Sequence, residues 1–371
     1  MDITKIGIIG CGVISNTYIK DIKRLYAKQI VVWAVADTDL ERAKVHAETY
    51  EIPHAYTVEE ILQDSEIEIV INLTPPRAHV ELNRRILEAG KHVFCEKPFA
   101  LSVEDAKDVC ALAERKGLKI GCAPDTFLGS SLTTCKKLLS DGWIGKPLYV
   151  NANMMNSGME MWHPAPDSFY TTGGGPVFDM GGYYFSALAA LFGSIAQVYA
   201  VSGKGYEERV IYSGARAGEK IKVDTPTYYA VILTMECGVV VTMNFSFDIW
   251  KSSLPLFEVY GTEGTLKVPD PNMYGGVPEV YRRQQKLTEC FDGVDTGEGE
   301  SFRLPELAQN VGIYVRGAGV AELAKAIREG GENRANGVLG THVVEVMTGI
   351  MKSVETGQPY KMKTRYVVEG E

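Results

Sequence analysis

The stretch that most constrains this chain is Lys5-Ile6-Gly7-Ile8-Ile9-Gly10-Cys11-Gly12-Val13-Ile14-Ser15. Ile6, Ile8 and Ile9 read as a buried parallel strand, which is apolar throughout because both its faces are covered. Gly10 and Gly12 then open a tight turn, and Val13 to Leu25 can run as a helix. The layout is G-x-G-x-x-S. Gly10 permits the turn, Gly12 lets a pyrophosphate approach the backbone, and the small Ser15 lets helix and strand pack closely. A helix starting at Val13 and Ile14 presents free N–H groups and the positive end of its dipole to phosphate. A strand before and a helix after are the context this fingerprint needs. The opening of the chain therefore predicts a dinucleotide site.

The units that follow keep alternating. Ile30 to Ala36 reads as a second buried strand ending at Asp37. A carboxylate there accepts hydrogen bonds from the adenosine ribose and repels a 2′-phosphate. Thr38-Asp39-Leu40 come next, with no arginine immediately after, so NAD is favoured over NADP. Thr57 to Glu60 forms a capping box that opens a short helix. Ile67 to Leu73 is a third strand, ending in Thr74-Pro75-Pro76-Arg77-Ala78-His79, whose prolines stop it and start the next helix. His92 to Cys95 is a fourth strand, ending in Glu96-Lys97-Pro98. Ser102 caps a helix that closes at Lys116-Gly117, and Lys119 to Ala123 is a further strand. Such alternation means a doubly wound parallel sheet, with ligands beyond the carboxyl ends of its strands. Asp37, Thr74, Glu96, Lys97, Pro98 and Asp125 should ring one crevice. Pro75 belongs to the same turn, and His79 packs near the cofactor.

Around Pro124 the pattern turns towards β. Leu148 to Met155, Ala196 to Val201, Tyr228 to Met235, Val239 to Phe247, Phe257 to Tyr260 and Thr265 to Val268 read as strands. They lack intervening helices, apart from one near Tyr183 to Phe192, so this second sheet is expected to be large, open and mostly antiparallel. Helices near Val320 to Arg328 and Gly340 to Thr356 are expected to cover one of its faces. A second copy of the chain is the simplest cover for the other, so a homo-oligomer is predicted. Gln285 to Arg303 reads as a solvated loop, and His342 as packed within its helix. The fold class is thus an α/β dinucleotide-binding domain over 1–126 plus an α+β domain over 127–371.

Composition narrows the partners. Lys and Arg number 38 against 47 Asp and Glu, a net charge of −9 with no basic run, so nucleic acid is not a partner. No apolar run approaches the roughly 18 residues of a membrane span. The first strand begins near Met1, so no signal peptide is expected. Seven cysteines without a C-x-x-C pair indicate reduced thiols in the cytoplasm and no metal site.

Three stretches can carry chemistry. In Glu96-Lys97-Pro98 a lysine at a strand end, beside a proline, is held rather than free, and its ammonium can stabilise a developing alkoxide. In Asp179-Met180-Gly181-Gly182-Tyr183, spacing by four puts Asp179 and Tyr183 on one helix face. A phenol beside an ammonium is a plausible proton shuttle. Met161-Trp162-His163 offers an aromatic ring for the apolar face of a sugar and a histidine that titrates near neutrality, a competing base.

The opening fingerprint, Thr74-Pro75 with His79, Glu96-Lys97-Pro98 and Asp179-x-Gly-x-Tyr183 resemble the glucose–fructose oxidoreductase, inositol dehydrogenase and rhizopine catabolism (Gfo/Idh/MocA) family. The resemblance implies a Rossmann domain joined to an open antiparallel sheet that often mediates oligomers. It implies an NAD(P)-dependent dehydrogenase of sugars, inositols or their derivatives. Lys97 resembles the catalytic lysine and Asp179 the substrate-positioning aspartate. Tyr183 stands where most members have histidine and some have tyrosine, and Pro124-Asp125-Thr126-Phe127 replaces a stretch where many carry asparagine and arginine. The resulting expectation is oxidation of a secondary hydroxyl of a sugar, glycoside or cyclitol, with Gly10, Gly12, Val13, Ile14 and Asp37 on NAD. Two alternatives stand beside it: glycoside 3-oxidation that initiates glycoside cleavage, and a sugar-sensing regulator without catalysis.

Overall fold

The computed structural model describes residues 3–163, 165–282, 300–307 and 312–367. The chain divides into two compact units, one of Met1–Leu128, Val311–Thr348 and Thr364–Glu371, the other of Gly129–Asn310 and Gly349–Lys363. The chain thus returns to its first unit late, whereas the sequence suggested one uninterrupted second domain over 127–371.

The first unit is built on strands β1 (Thr4–Ile9), β2 (Ile30–Ala36), β3 (His54–Tyr56), β4 (Ile69–Asn72), β5 (His92–Cys95) and β6 (Ile120–Cys122). They lie in the order β3-β2-β1-β4-β5-β6, every pair parallel. Ile6, Ile8, Ile30, Val35, Ile69 and Ile71 are fully buried, which is why these strands read as continuous apolar runs. The helices between them are α1 (Val13–Asp21), α2 (Leu40–Thr49), α3 (Val58–Gln63), α4 (His79–Glu88) and α5 (Val103–Lys116). Thr57 makes both bonds of the expected capping box, and Gly117 closes α5 at φ +65°. The strand order reverses between β1 and β4, and a ligand crevice forms outside the strand ends at such a point.

Helix α8 (Ala318–Glu329) corrects an expectation. Its apolar stripe was expected to cover the second sheet. Val320, Ala321, Leu323 and Ala324 instead join the core of Ile6, Ile8 and Phe94 in the first unit. An amphipathic pattern shows that a helix covers something apolar but not which surface it covers. The approach of α8 is close enough that a Cβ on Gly319 would lie 2.7 Å from the Phe94 ring.

The second unit begins with α6 (Ser130–Ser140) and includes β7 (Pro147–Met155), α7 (Pro176–Phe192), β8 (Ile195–Gly203), β9 (Glu208–Val210), β10 (Lys220–Lys222), β11 (Tyr228–Met235) and β12 (Val240–Ser246). β13 (Phe257–Gly261), β14 (Gly264–Lys267), β15 (Glu279–Arg282), β16 (Glu300–Arg303) and β17 (Tyr360–Lys361) follow. Nine of them form one sheet in the order β16-β15-β14-β13-β7-β12-β11-β8-β17, while β9 and β10 pair as a separate hairpin. All neighbours in the large sheet are antiparallel except β7 and β12, which run parallel. Along β11, Tyr229, Val231, Leu233 and Met235 are buried while Tyr228, Ala230 and Ile232 are exposed, the alternation of a sheet with one covered face. Helix α7 covers the buried face over β7, β11 and β12.

Two expectations changed here. The last four residues of the expected loop Gln285 to Arg303 are strand β16, paired with β15. The stretch 285–299 lies outside the described residues. Helix α7 also begins earlier than Tyr183, so Asp179 sits in its first turn. Helix α9 (Gly337–Thr356) matches the second late helix, and His342 is buried within it. Among the described residues no helix is long and apolar enough to cross a membrane.

Candidate active site

The glycine turn has the geometry its sequence requires. Gly10 adopts φ +106°, and a Cβ there would sit 2.7 Å from the Leu73 carbonyl oxygen. Its N–H donates to the Ala36 carbonyl at 2.8 Å, so the turn is pinned to the end of β2. Gly12 is exposed, with open space where its Cβ would be. It caps α1, whose first turn carries no acidic side chain, leaving its N–H groups available to an anion. Ser15 is completely buried and donates to the Gly12 carbonyl at 2.6 Å. Gly10, Gly12, Val13, Ile14, Asp37, Thr74 and Pro75 all line one cleft of about 790 Å³. The fit to a dinucleotide is positive: close backbone approach, a helix N-terminus and a carboxylate face the same space.

Asp37 is held by several donors. Cys11 N–H reaches Oδ2 at 2.8 Å and Asp39 N–H reaches Oδ1 at 3.0 Å. Arg42 Nη1 stands 3.3 and 3.4 Å from the two oxygens. Burial works against the charge, but the Asp39 and Cys11 amides and the guanidinium outweigh it, so the carboxyl sits below its usual range. Arg42 was not foreseen: no arginine follows Asp37 immediately, yet the first turns of α2 bring one back to it.

The ends of β4 and β5 are tied together. Asn72, also unforeseen, accepts Thr74 N–H at 3.2 Å and the Thr74 hydroxyl at 2.6 Å. His79 is 1% exposed, with Nδ1 2.7 Å from the Pro98 carbonyl oxygen and Nε2 2.7 Å from that of Thr74. Carbonyl oxygens only accept, so both ring nitrogens must donate and the imidazole is a cation. Burial opposes that charge, but the neighbouring Cys95 and the two carbonyls prevail, and the pKa rises to about 9. His79 thus clamps the Thr74-Pro75 turn to the cis Lys97–Pro98 peptide. Lys97 is half-buried, its N–H donating to Glu96 Oε2 at 2.8 Å.

Asp125 departs from the expected crevice. It is 1% exposed, and its Oδ2 accepts Gly319 N–H at 2.7 Å, so the carboxylate caps α8 inside the first unit. The cause is the late return of the chain, which brings a helix N-terminus to the end of β6.

In the second unit Asp179 and Tyr183 lie one turn apart on α7, Asp179 half-buried and Tyr183 8% exposed. Trp162 is 64% exposed. His163 packs edge-on between Trp162 and Phe169, at centroid distances of 5.4 and 5.1 Å. Its Nδ1 accepts Ala165 N–H at 3.1 Å, which leaves Nε2 as the ring's other polar atom. Phe169 O in turn accepts Gly175 N–H at 2.8 Å at the start of α7, so the aromatic loop and the Asp179 turn are one connected structure.

A buried ionic cluster anchors that loop. Arg209, on β9, pairs with Glu160 at 2.5 Å and with Asp248, and Tyr170 donates its hydroxyl to Glu160. Gly158, at φ +106°, leaves room for it; a Cβ there would lie 2.4 Å from Glu160 Oε2. None of these residues stands in a local motif, so sequence carried no signal for them.

Comparison with known proteins agrees with this geometry. The GFO_IDH_MocA model, the NAD-binding Rossmann fold of an oxidoreductase family, matches residues 4–123, and the GFO/IDH/MocA C-terminal domain model matches residues 132–267. The trans-1,2-dihydrobenzene-1,2-diol dehydrogenase of Bos taurus is 27% identical over 87% of this chain and 87% of its own length. An NAD binding oxidoreductase from Klebsiella pneumoniae superposes with a TM-score of 0.80 at 21% identity, over 99% of this chain and 100% of that one. Levoglucosan dehydrogenase in complex with NADH and levoglucosan gives a TM-score of 0.77 at 19% identity, over 98% and 100%.

The His79 clamp predicts a pH dependence. A pKa raised in the folded state contributes stability below about 6.5, the unfolded value, and loses it as pH rises through about 9. His79→Gln should therefore cost on the order of 2 kcal/mol near pH 6, with the deficit shrinking towards pH 10. Thermal melts of both proteins across that range check it, and a deficit that stays constant would show the ring to be neutral.

Proposed function

Because the chain belongs to the Gfo/Idh/MocA family of NAD-binding oxidoreductases, we propose that it oxidises a secondary hydroxyl of a sugar, glycoside or cyclitol. NAD, when bound, supplies the hydride acceptor. The observation that carries the reading is the strand-end cradle: an open Gly12, a helix N-terminus free of acid and a held Asp37 share one cleft. Half-buried Lys97 follows at the end of β5. Gly10, Gly12, Val13, Ile14, Asp37, Thr74 and Pro75 receive the cofactor. The Lys97 ammonium stabilises negative charge on the substrate oxygen as its proton leaves. Tyr183, acting as its phenolate, takes that proton, with His163 the alternative base. Asp179 orders neighbouring hydroxyls, and Trp162 offers a flat apolar face. Relatives named as dehydrogenases of a cyclic diol and of levoglucosan support a polyhydroxylated ring as substrate.

A screen of NAD and NADP reduction across sugars, inositols, glycosides and cyclic diols tests the reading. A 3-keto glycoside product would point to the cleavage pathway. Lys97→Ala should lower kcat/KM by at least about 10³-fold while NADH still binds. Turnover that survives the substitution would remove Lys97 from the chemistry.

NAD is proposed over NADP because Asp37 is a fixed negative charge at the adenosine end. Replacing it frees Arg42, which can pair with a 2′-phosphate. In Asp37→Ser the ratio of kcat/KM for NADP to that for NAD should therefore rise about tenfold or more. An unchanged ratio would show that Asp37 does not discriminate.

A second copy of the chain is the proposed cover for the open sheet face. Val201, Tyr228 and Ile232 are 46–54% exposed on neighbouring strands and face the same way. Sedimentation should show a dimer or larger assembly, and Ile232→Glu should shift it towards monomer. A monomeric wild type would end this proposal.

A further inference from the structure

Tyr18 is a phenol that the proposed chemistry does not use. It lies on α1, the helix that follows the glycine turn, and is completely buried. Its hydroxyl donates to Glu96 Oε1 at 2.9 Å, while Lys97 N–H donates to Oε2 of the same carboxylate at 2.8 Å. Phe94 holds the ring edge-on at a centroid distance of 6.3 Å. Burial first, then the charges of Glu96 and Asp125 against an opposing Arg316, keep the phenol well above its ordinary pKa. Tyr18 is thus a donor, not an acid or base.

The strand order gives this contact a meaning. Asp37 follows β2 and Glu96 follows β5, with β1 and β4 between them. Three strand spacings separate the two carboxylates by about 14 Å across the sheet. The glycine turn, after β1, lies between them. An extended dinucleotide carries one vicinal diol on each side of its pyrophosphate. A carboxylate has roughly four acceptor sites, and two donors on Glu96 leave capacity for a diol.

We infer that Tyr18 is a positioning residue, holding Glu96 so that its remaining lone pairs receive the ribose hydroxyls of the nicotinamide half, opposite the role of Asp37. The inference rests on the dinucleotide reading above. It also couples the phosphate-binding helix to the strand end that carries Lys97, because one hydrogen bond joins α1 to Glu96.

Tyr18→Phe removes the hydroxyl and keeps the ring, so the packing on Phe94 survives. Titration of intrinsic fluorescence with NADH should show the dissociation constant rising about tenfold, the scale of a lost hydrogen bond to a charged group. The affinity for ADP, which lacks the nicotinamide half, should stay within about twofold. In a Glu96→Ala background, with Glu96→Gln as the second variant, Tyr18→Phe should cost nothing further, because it acts through that carboxylate. Unchanged NADH affinity in Tyr18→Phe would overturn the inference. So would equal losses for NADH and ADP, or losses that multiply in the double variant, since each marks a general effect on α1. A wild type that binds neither NADH nor NADPH would instead overturn the dinucleotide reading itself.

Discussion

A parallel sheet runs out of backbone partners along the single edge where all its strands end, and a buried N–H or C=O without a partner is costly. The first unit is organised around that constraint. Asp37 takes the N–H of Cys11, Asn72 takes that of Thr74, and Glu96 takes that of Lys97. His79 serves the carbonyls of Thr74 and Pro98 together. Three of the side chains expected to meet a cofactor, Asp37, His79 and Glu96, are therefore also ones that satisfy the strand ends. Completing the sheet thus fixes these strand ends, Asp37 and Thr74 of the cleft among them, on rigid backbone rather than on free loops.

This overlap explains what could be read from sequence. The glycine turn, Asp37, Thr74-Pro75 and Glu96-Lys97 each follow an apolar run directly, so the strand pattern locates them. The alternation that defines β11 and β12, and the spacing that puts Asp179 and Tyr183 on one face of α7, are equally local. Arg42, Tyr18 and Arg209 could not be found that way. Arg42 and Tyr18 reach their partners through the pitch of a helix, and Arg209 meets Glu160 and Asp248 from 49 and 39 residues away. Three-residue β3 is too short to show a period. Helix α8 was read correctly as a helix and assigned to the wrong sheet, because its stripe is satisfied by any apolar surface. Asp125 was misplaced by the same gap, since its partner Gly319 arrives with α8.

In the second unit the irregular segment before α7 is anchored rather than loose. Arg209, Glu160 and Asp248 form a buried ionic group under it, with Tyr170 donating into the same group. Burying such charges seldom adds net stability compared with an apolar core, but it does specify one arrangement, since any other leaves a charge unpaired. Arg209 Nε has no hydrogen-bond partner, so the cluster already carries one unmet donor. Shifting the loop would strand more. The exposed ring of Trp162 and the half-buried ring of His163 are thus presented from a fixed base, with Phe169 and Gly175 linking that base to the turn that holds Asp179.

The Asp37 end of the cleft carries a related asymmetry. Asp37 and Arg42 form a pair, yet the two are not held alike. The carboxylate is bound by the Cys11 and Asp39 amides as well as by the guanidinium, and its side chain is 8% exposed. The Arg42 side chain is 51% exposed, with Asp39 as a second, longer partner. A guanidinium this exposed gains little from its partner and is easily exchanged, whereas a carboxylate fixed by backbone amides cannot turn away. A ligand entering here meets an immobile negative charge and a cation free to leave it. A ribose diol can use the first without moving the second. A 2′-phosphate would have to draw Arg42 off while remaining beside Asp37, and the repulsion from the fixed partner would persist. On the proposed preference for NAD, the stationary member of the pair is the one that would select.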